Sequence, residues 1–209
     1  MKYKYDLILF DLDGTLLDTS PGIFNSVRYA EAKMGFPRIA EHMLAAFVGP
    51  PPKTMYRKIY TVDEETALMA VQYHREYGRE YAIYEAEKYP EIIDLLKLLK
   101  KARLKLGVAT LKSQPIAEKI LKVHKLYKYF DCIVGMDANE TFSKKDTIHI
   151  AIERTNSNNA VLIGDSQYDY DGAREAGIDF IGVLYGFGLQ NSTDMFPTVS
   201  TPLEILNLI

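Results

Sequence analysis

Five short apolar runs punctuate the chain: Leu7–Phe10, Leu104–Ala109, Cys132–Gly135, Val161–Gly164 and Phe180–Leu184. Each is continuous rather than alternating, the pattern of strands buried on both faces of a parallel sheet. Helical spacing fills the gaps between the last four and the segment before them. Pro90–Ala102 carries Ile92, Ile93, Leu95, Leu96, Leu98 and Leu99, and Ser113–His124 carries Ile116, Ile120 and Leu121. Ser143–Arg154 carries Ile148, Ile150 and Ile152, and Asp169–Gly177 stops on a glycine, a common helix end. Strand and helix alternating at this spacing predict a doubly wound α/β sheet.

One connection breaks the alternation. More than ninety residues separate the first two strands, with no strand pattern among them. Ser20-Pro21 predicts a helix start, with serine as N-cap and proline at the first position, and Gly35 predicts its end. A second helix is expected over Arg38–Phe47. Gly49-Pro50-Pro51-Pro52 then reads as a rigid loop, and a long helix as running from about Asp63 to about Glu87. The expected division is an α/β core of residues 1–16 and 86–209 with an all-helical insert, residues 17–85. An insert at that point belongs over the carboxyl ends of the strands, where open α/β sheets bind ligands.

Composition narrows the function classes. A 209-residue chain with 47% apolar residues, 25% charged residues and net charge −3 gives no electrostatic case for a nucleic acid polymer or an anionic membrane. No run reaches the ~20 apolar residues of a membrane span. No secretory pattern follows the charged start, so the cytoplasm is the expected compartment. The single cysteine, Cys132, lies in an apolar run and reads as a buried strand residue.

Chemistry collects where strands end. Asp11-Leu12-Asp13-Gly14-Thr15 follows the first run directly, delivering two carboxylates and then a glycine turn to one sheet edge. An Asp-Gly turn after a strand is common in itself. Gly164-Asp165-Ser166-Gln167-Tyr168-Asp169 closes the fourth run with two more carboxylates, where acidic residues also suit a helix start. A calcium loop beginning at Gln167 fails, because Ile178 would hold the bidentate position. Thr110 ends the second strand and Lys144 opens the helix after the third. Four of the five strands therefore end in a residue suited to phosphoryl transfer.

In this order the residues resemble the haloacid dehalogenase superfamily. Asp11 to Thr19 matches its first motif without a mismatch, and Thr110, Lys144 and Asp165/Asp169 match the other three. The resemblance covers essentially the whole chain and makes the insert a helical cap. Val48-Gly49-Pro50-Pro51, Val108 to Lys112 and Gly182 to Gly188 look most like the phosphoglycolate phosphatase and 5′-nucleotidase branch. Met136–Phe142 departs from that branch in lacking a glycine-bearing loop.

The resemblance implies a Mg²⁺-dependent phosphatase acting on a small phosphorylated metabolite. Asp11 would be the nucleophile and Asp13 the acid and base. Thr110 and the backbone at Gly14 and Leu111 would hold the phosphoryl oxygens. Asp11, the Asp13 carbonyl and Asp165 would ligate the metal, with Asp169 supporting them or orienting Lys144. Ionised Asp11, Asp165 and Asp169 are then balanced by Mg²⁺ and Lys144.

Two features of the insert are candidates for selecting substrate. Lys53 and Arg57, four apart, share a face if helical, and either form a solvated basic face or meet an anionic group. Tyr73, Tyr77, Tyr81 and Tyr84 recur at intervals of four, four and three. Such stripes usually pack a helix; Tyr81 and Tyr84 are the pair that would stack a nucleobase.

A phosphosugar mutase or a pyrophosphatase of the same superfamily would share every core motif. A phospho-aspartate signalling receiver places its acceptor on a middle strand and lacks a large insert. A dinucleotide oxidoreductase would show G-x-G-x-x-G after the first strand. An inactive scaffold would not keep every catalytic position competent. Both monomer and homodimer are compatible with the sequence.

Overall fold

A computed structural model describes residues 3–137 and 141–209. Residues 138–140, inside the Met136–Phe142 segment noted above, lie outside the described residues, as do residues 1 and 2. Internal contacts divide the chain into two units, Met1–Asp18 with Lys88–Ile209, and Thr19–Glu87.

The first unit is built on six strands among the described residues: β1 (Leu7–Phe10), β4 (Lys105–Ser113), β5 (Cys132–Met136), β6 (Ala160–Gly164), β7 (Asp179–Val183) and β8 (Thr198–Val199). All are parallel, in the order β5-β4-β1-β6-β7-β8. Two further short strands, β2 (Leu17–Asp18) and β3 (Glu87–Lys88), stand where the chain leaves and re-enters this unit. They are too short to have shown in the apolar pattern.

Every residue of β1 is fully buried, which explains why its sequence is continuously apolar. Leu7 and Leu9 join Leu162, Val134 and Phe180 in one core cluster with Ile148 and Ala151 of α8 (Lys144–Thr155) and Ala173 of α9 (Gln167–Ala176). Helices α6 (Ile92–Lys101) and α7 (Gln114–Val123) complete the alternation. The five expected strands and four expected core helices are all present, with ends displaced by a few residues. The largest displacement is at β4, which runs on to Ser113 through a register shift between Ala109 and Ser113.

The second unit is helical: α1 (Ser20–Met34), α2 (Glu41–Leu44), α3 (Pro52–Tyr60), α4 (Glu64–Tyr77) and α5 (Ile83–Glu85). Its core joins Val27 and Ala30 of α1 to Met55 and Tyr56 of α3 and to Ala67, Ala70 and Val71 of α4. Glu31 is only 4% exposed there, but Arg28, the Tyr60 hydroxyl and the Ile39 amide satisfy it.

Two expectations are corrected in this unit and a third is met with one added feature. Ser20 is the first helical residue rather than the cap; Thr19 holds the cap position without a side-chain cap bond. The helix expected over Arg38–Phe47 is a single turn, α2, followed by a 3₁₀ turn at Ala45–Phe47. The long helix expected from about Asp63 to about Glu87 runs from Glu64 to Glu85 and contains a π-turn at Gly78–Ala82. One extra residue in that turn shifts the helical phase beyond it, yet the Tyr77 and Tyr81 rings still lie 5.1 Å apart. Tyr77 is partly buried against the Tyr29 ring at 5.6 Å and donates to Glu85 at 2.7 Å, whereas Tyr81 and Tyr84 are 54% and 61% exposed.

Candidate active site

Connections leave β1 toward β4 and leave β6 toward β7, so the strand order reverses between β1 and β6. Ligands of open α/β sheets bind outside the carboxyl ends of the strands at such a point. Asp11 and Asp165 are the residues that immediately follow these two strands. The Asp11 amide donates to the Ile163 carbonyl at 2.9 Å, carrying the β1–β6 ladder one residue into the site.

The next turn fixes the backbone of the motif. Leu16 and Leu17 amides both donate to the Leu12 carbonyl at 3.1 Å, and Gly14 N–H reaches Leu17 O at 2.9 Å. Gly14 has φ +78°, and a Cβ there would collide with the Asp165 carboxylate. Glycine is thus required twice over, for its backbone angle and for the approach of the acidic group.

Asp11, Asp165 and Asp169 each place a carboxylate oxygen within 4.8 Å of the others, and all three residues are buried. The Asp165 Oδ2 accepts from the Phe187 and Gly188 amides at 2.7 and 3.2 Å. Asp169 serves two functions. Its Oδ2 closes a capping box at the start of α9, accepting from the Ser166 hydroxyl at 2.6 Å and the Ser166 amide at 3.1 Å. Its Oδ1 faces the Lys144 ammonium at 2.7 Å. One carboxylate thus caps α9 and also pairs with Lys144.

Lys144 is 6% exposed and enters as the first residue of α8, itself started by a Ser143–Asp146 capping box. Its Nζ donates to Asp11 Oδ1 at 2.5 Å and to the Ala109 carbonyl at 2.7 Å, in addition to facing Asp169. Three N–H bonds thus meet three acceptors. Lys145, its neighbour, is only partly buried.

The electrostatics follow from this crowding. Burial pushes the Asp11 carboxyl up to about 7; Lys144 opposes the shift, while Asp169 and Asp13 reinforce it. Burial also pushes Asp165 up to about 7, with Asp169 reinforcing and the two backbone amides opposing. Burial alone would lower the Lys144 ammonium, but Asp11 and Asp169 outweigh it and keep it charged. Three buried carboxylates against one ammonium leave an excess of hard oxygen donors and negative charge. That donor set fits a hard divalent cation.

Thr110 is buried just past the last regularly paired residue of β4, Ala109, and its Oγ1 accepts from the Lys112 amide at 3.3 Å. Asp13 is ion-paired with Lys112 at 3.1 Å. The α/β unit therefore brings Asp11, Asp13, Gly14, Thr110, Leu111, Lys144, Asp165 and Asp169 to one sheet edge. Lys53, Arg57, Tyr81 and Tyr84 belong to the helical unit. There Lys53 and Arg57 line a pocket of about 390 Å³ with Thr54, Lys58, Thr61 and Val62, and Lys53 pairs with Glu64 at 3.1 Å. Sequence reasoning missed the Phe187 and Gly188 amides that hold Asp165, and gave Lys112 no role.

Residues 8–183 match the family of haloacid dehalogenase-like hydrolases. The chain is 35% identical over 191 residues to a 5′-nucleotidase of Pseudomonas aeruginosa, covering 90% of this chain and 86% of that protein. It is 32% identical over 203 residues to a phosphoglycolate phosphatase of Agrobacterium fabrum, covering 92% and 86%. Among solved structures, a haloacid dehalogenase-like hydrolase from Streptococcus pneumoniae superposes with a TM-score of 0.89 at 33% identity, over 97% of each chain. The fold and the acidic site define a hydrolase with a helical unit inserted after its first strand, and the chain belongs to the haloacid dehalogenase-like hydrolase family. It is an enzyme, a phosphatase of that family. Among the described residues no helix is long and apolar enough to cross a membrane.

Proposed function

We propose that this enzyme is a Mg²⁺-dependent phosphatase that hydrolyses a small phosphomonoester through a covalent aspartyl-phosphate on Asp11. The observation that carries this reading is the buried Asp11 carboxylate, bonded to Lys144 and grouped with Asp165 and Asp169. Asp11, Asp165 and the Asp13 carbonyl would hold the metal, with Asp169 beside them. Bound there, Mg²⁺ supplies positive charge that lets a phosphate dianion approach a carboxylate.

In the first half-reaction an Asp11 oxygen forms a bond to phosphorus as the bond from phosphorus to the leaving oxygen breaks. Asp13 gives its proton to that oxygen, and the alcohol departs. In the second, Asp13 takes a proton from water as the water oxygen attacks phosphorus. The Asp11–phosphorus bond breaks, inorganic phosphate leaves, and both aspartates return to their starting states. Thr110 and the backbone at Gly14 and Leu111 hold the phosphoryl oxygens, and Lys144 offsets their charge.

The relatives leave three substrate classes in view: nucleoside monophosphates, phosphoglycolate and pyrophosphate. The exposed rings of Tyr81 and Tyr84 suit stacking on a base. The cationic pocket of Lys53 and Arg57 suits a second anionic group instead. The deciding experiment is hydrolysis of nucleoside monophosphates, phosphoglycolate, pyrophosphate and hexose phosphates with and without Mg²⁺. Beryllium fluoride, which mimics an aspartyl-phosphate, should protect wild type and not Asp11→Asn. Turnover by Asp11→Asn within tenfold of wild type excludes the covalent route.

A further inference from the structure

The ion pair between Lys112 and Asp13 differs from the other lysine pairs at the surface. Its side chains are only 19% and 14% exposed, against 44% and 60% for Lys53–Glu64 and 36% and 41% for Lys100–Asp131. Exposed pairs of that second kind contribute little, because water screens them and the long side chains resist ordering. A shielded pair holds its geometry better.

A dedicated piece of backbone delivers Lys112. Beyond Ala109, β4 bulges, and its pairing with β5 resumes at Ser113 opposite Met136. Bulges re-aim side chains at strand ends. Gln114 stitches the bulge down: its Oε1 accepts from the Gly135 amide at 2.6 Å, and its Nε2 donates to the Ile133 carbonyl at 3.1 Å. A Cβ at residue 135 would lie 2.6 Å from the Lys112 carbonyl, so the approach needs glycine. Within the bulge, the Lys112 amide bonds the Thr110 hydroxyl at 3.3 Å. Across the site, the Leu12–Leu17 turn already fixes the Asp13 backbone. Lys112 grips an oxygen of the Asp13 carboxylate at 3.1 Å.

We infer that Lys112 is a positioning residue: it holds the Asp13 carboxylate in the orientation that hands a proton to the leaving oxygen, and the Gln114–Gly135 stitch holds Lys112. The inference rests on the assignment of Asp13 as the acid and base. It predicts a dependence on the leaving group. An alkoxide is a poor leaving group and needs the proton; p-nitrophenolate departs without it. General acid catalysis contributes typically 10²–10⁴-fold, and a misdirected acid forfeits part of that.

The test compares kcat/KM, which reports the leaving-group step, for a primary alkyl phosphate and for p-nitrophenyl phosphate. Lys112→Met should lose about tenfold or more on the alkyl ester beyond its loss on the aryl ester. Lys112→Arg should recover most of that difference, and Gln114→Ala should show a smaller loss of the same kind. Equal losses on both esters in Lys112→Met would overturn the inference in favour of a merely structural lysine. So would a loss confined to KM for phosphoglycolate or pyrophosphate, which would make Lys112 a reader of a second anion. Thermal unfolding of the variants excludes misfolding as the source, and Gln114→Ala keeps the test open should Lys112→Met not fold. Failure of the underlying reading has a separate signature: Asp11→Asn would stay active, or Asp13→Asn would show no leaving-group dependence at all.

Discussion

Replacing Lys144 by methionine keeps most of the side chain's length and removes the charge at the centre of the acidic cluster. In the wild type the ammonium bonds Asp11 at 2.5 Å, the Ala109 carbonyl at 2.7 Å and Asp169 at 2.7 Å, with 6% of the lysine exposed. Methionine leaves two buried carboxylates facing each other and a carbonyl without its donor. Breaking a buried pair by removing one partner costs about 3–5 kcal/mol. For a protein of this size each kcal/mol moves the melting temperature by roughly 2–4 °C, so the fall should be roughly 6–20 °C.

The pH dependence fixes the cause. Burial already holds Asp11 well above its ordinary value of 3.8, at about 7, and loss of the lysine raises it further. Near pH 8 the variant must keep buried charges unpaired or spend free energy protonating them. Near pH 5 protons are abundant, the carboxyls fill, and the penalty shrinks. Urea unfolding of metal-free wild type and Lys144→Met at pH 5 and pH 8, in a chelator, should show a gap that widens with pH. Asp11→Asn is the counterpart: it removes one repelling charge and should abolish turnover while leaving metal-free stability unchanged or higher. A Lys144→Met protein within 1 kcal/mol of wild type at pH 8, or a gap that narrows as the pH rises, would refute this account of the cluster.

Other consequences are simpler to state. Lys145→Ala should keep most of wild-type turnover where Lys144→Ala loses it, since only Lys144 is buried among the carboxylates; steady-state kinetics decide, and the reverse order would refute the assignment. Gly172→Ala should cut turnover at least tenfold, because the new Cβ would sit 2.5 Å from Lys144 Cγ, even though alanine favours a helix by about 1 kcal/mol. Mg²⁺ affinity measured by calorimetry should weaken as the pH falls through about 7, because Asp11 and Asp165 both bind protons in that range and protons compete with the cation; an affinity flat from pH 8 to 5.5 would contradict it. Tyr81→Ala and Tyr84→Ala should raise KM for a nucleoside monophosphate about 5- to 150-fold if the rings stack on the base, and equal effects on phosphoglycolate would make them structural.

Much of the α/β unit was legible in the sequence for one physical reason. Its strands are buried on both faces, so they are written as continuous apolar runs, and a residue that breaks such a run at the ligand edge is conspicuous. Asp11 and Asp165 stand at that break, whereas Thr110 gained weight only from the other motifs and Asp169 from its spacing after Asp165. Lys144 needed the resemblance as well, because Ser143-Lys144-Lys145-Asp146 offers two lysines and only register separates them. The helical unit was less legible. Gly78 is followed by helix-forming residues, so nothing in the pattern announces that the turn at Gly78–Ala82 gains a residue. The tyrosine stripe was legible as far as Tyr81, whose ring meets that of Tyr77; the exposure of its far end was not.

Lys112 was illegible for a different reason. It lies two residues past Thr110, inside the irregular stretch of β4, and it pairs with Asp13 from a segment where the register with β5 is broken and Gln114 bridges to Gly135. Periodicity describes the regular part of a fold, whereas here four steps along β4, from Ala109 to Ser113, face two along β5, from Val134 to Met136. Residues that tune a site are often delivered by such departures, because a bulge can aim one side chain without moving the strand behind it. Asp11 and Asp13 occupy the predicted edge through a regular strand and a tight turn, while the residue that orients Asp13 arrives through the irregularity opposite. The division suggests where to seek unassigned contributors in relatives with the same four motifs: in the first irregular residues after each strand.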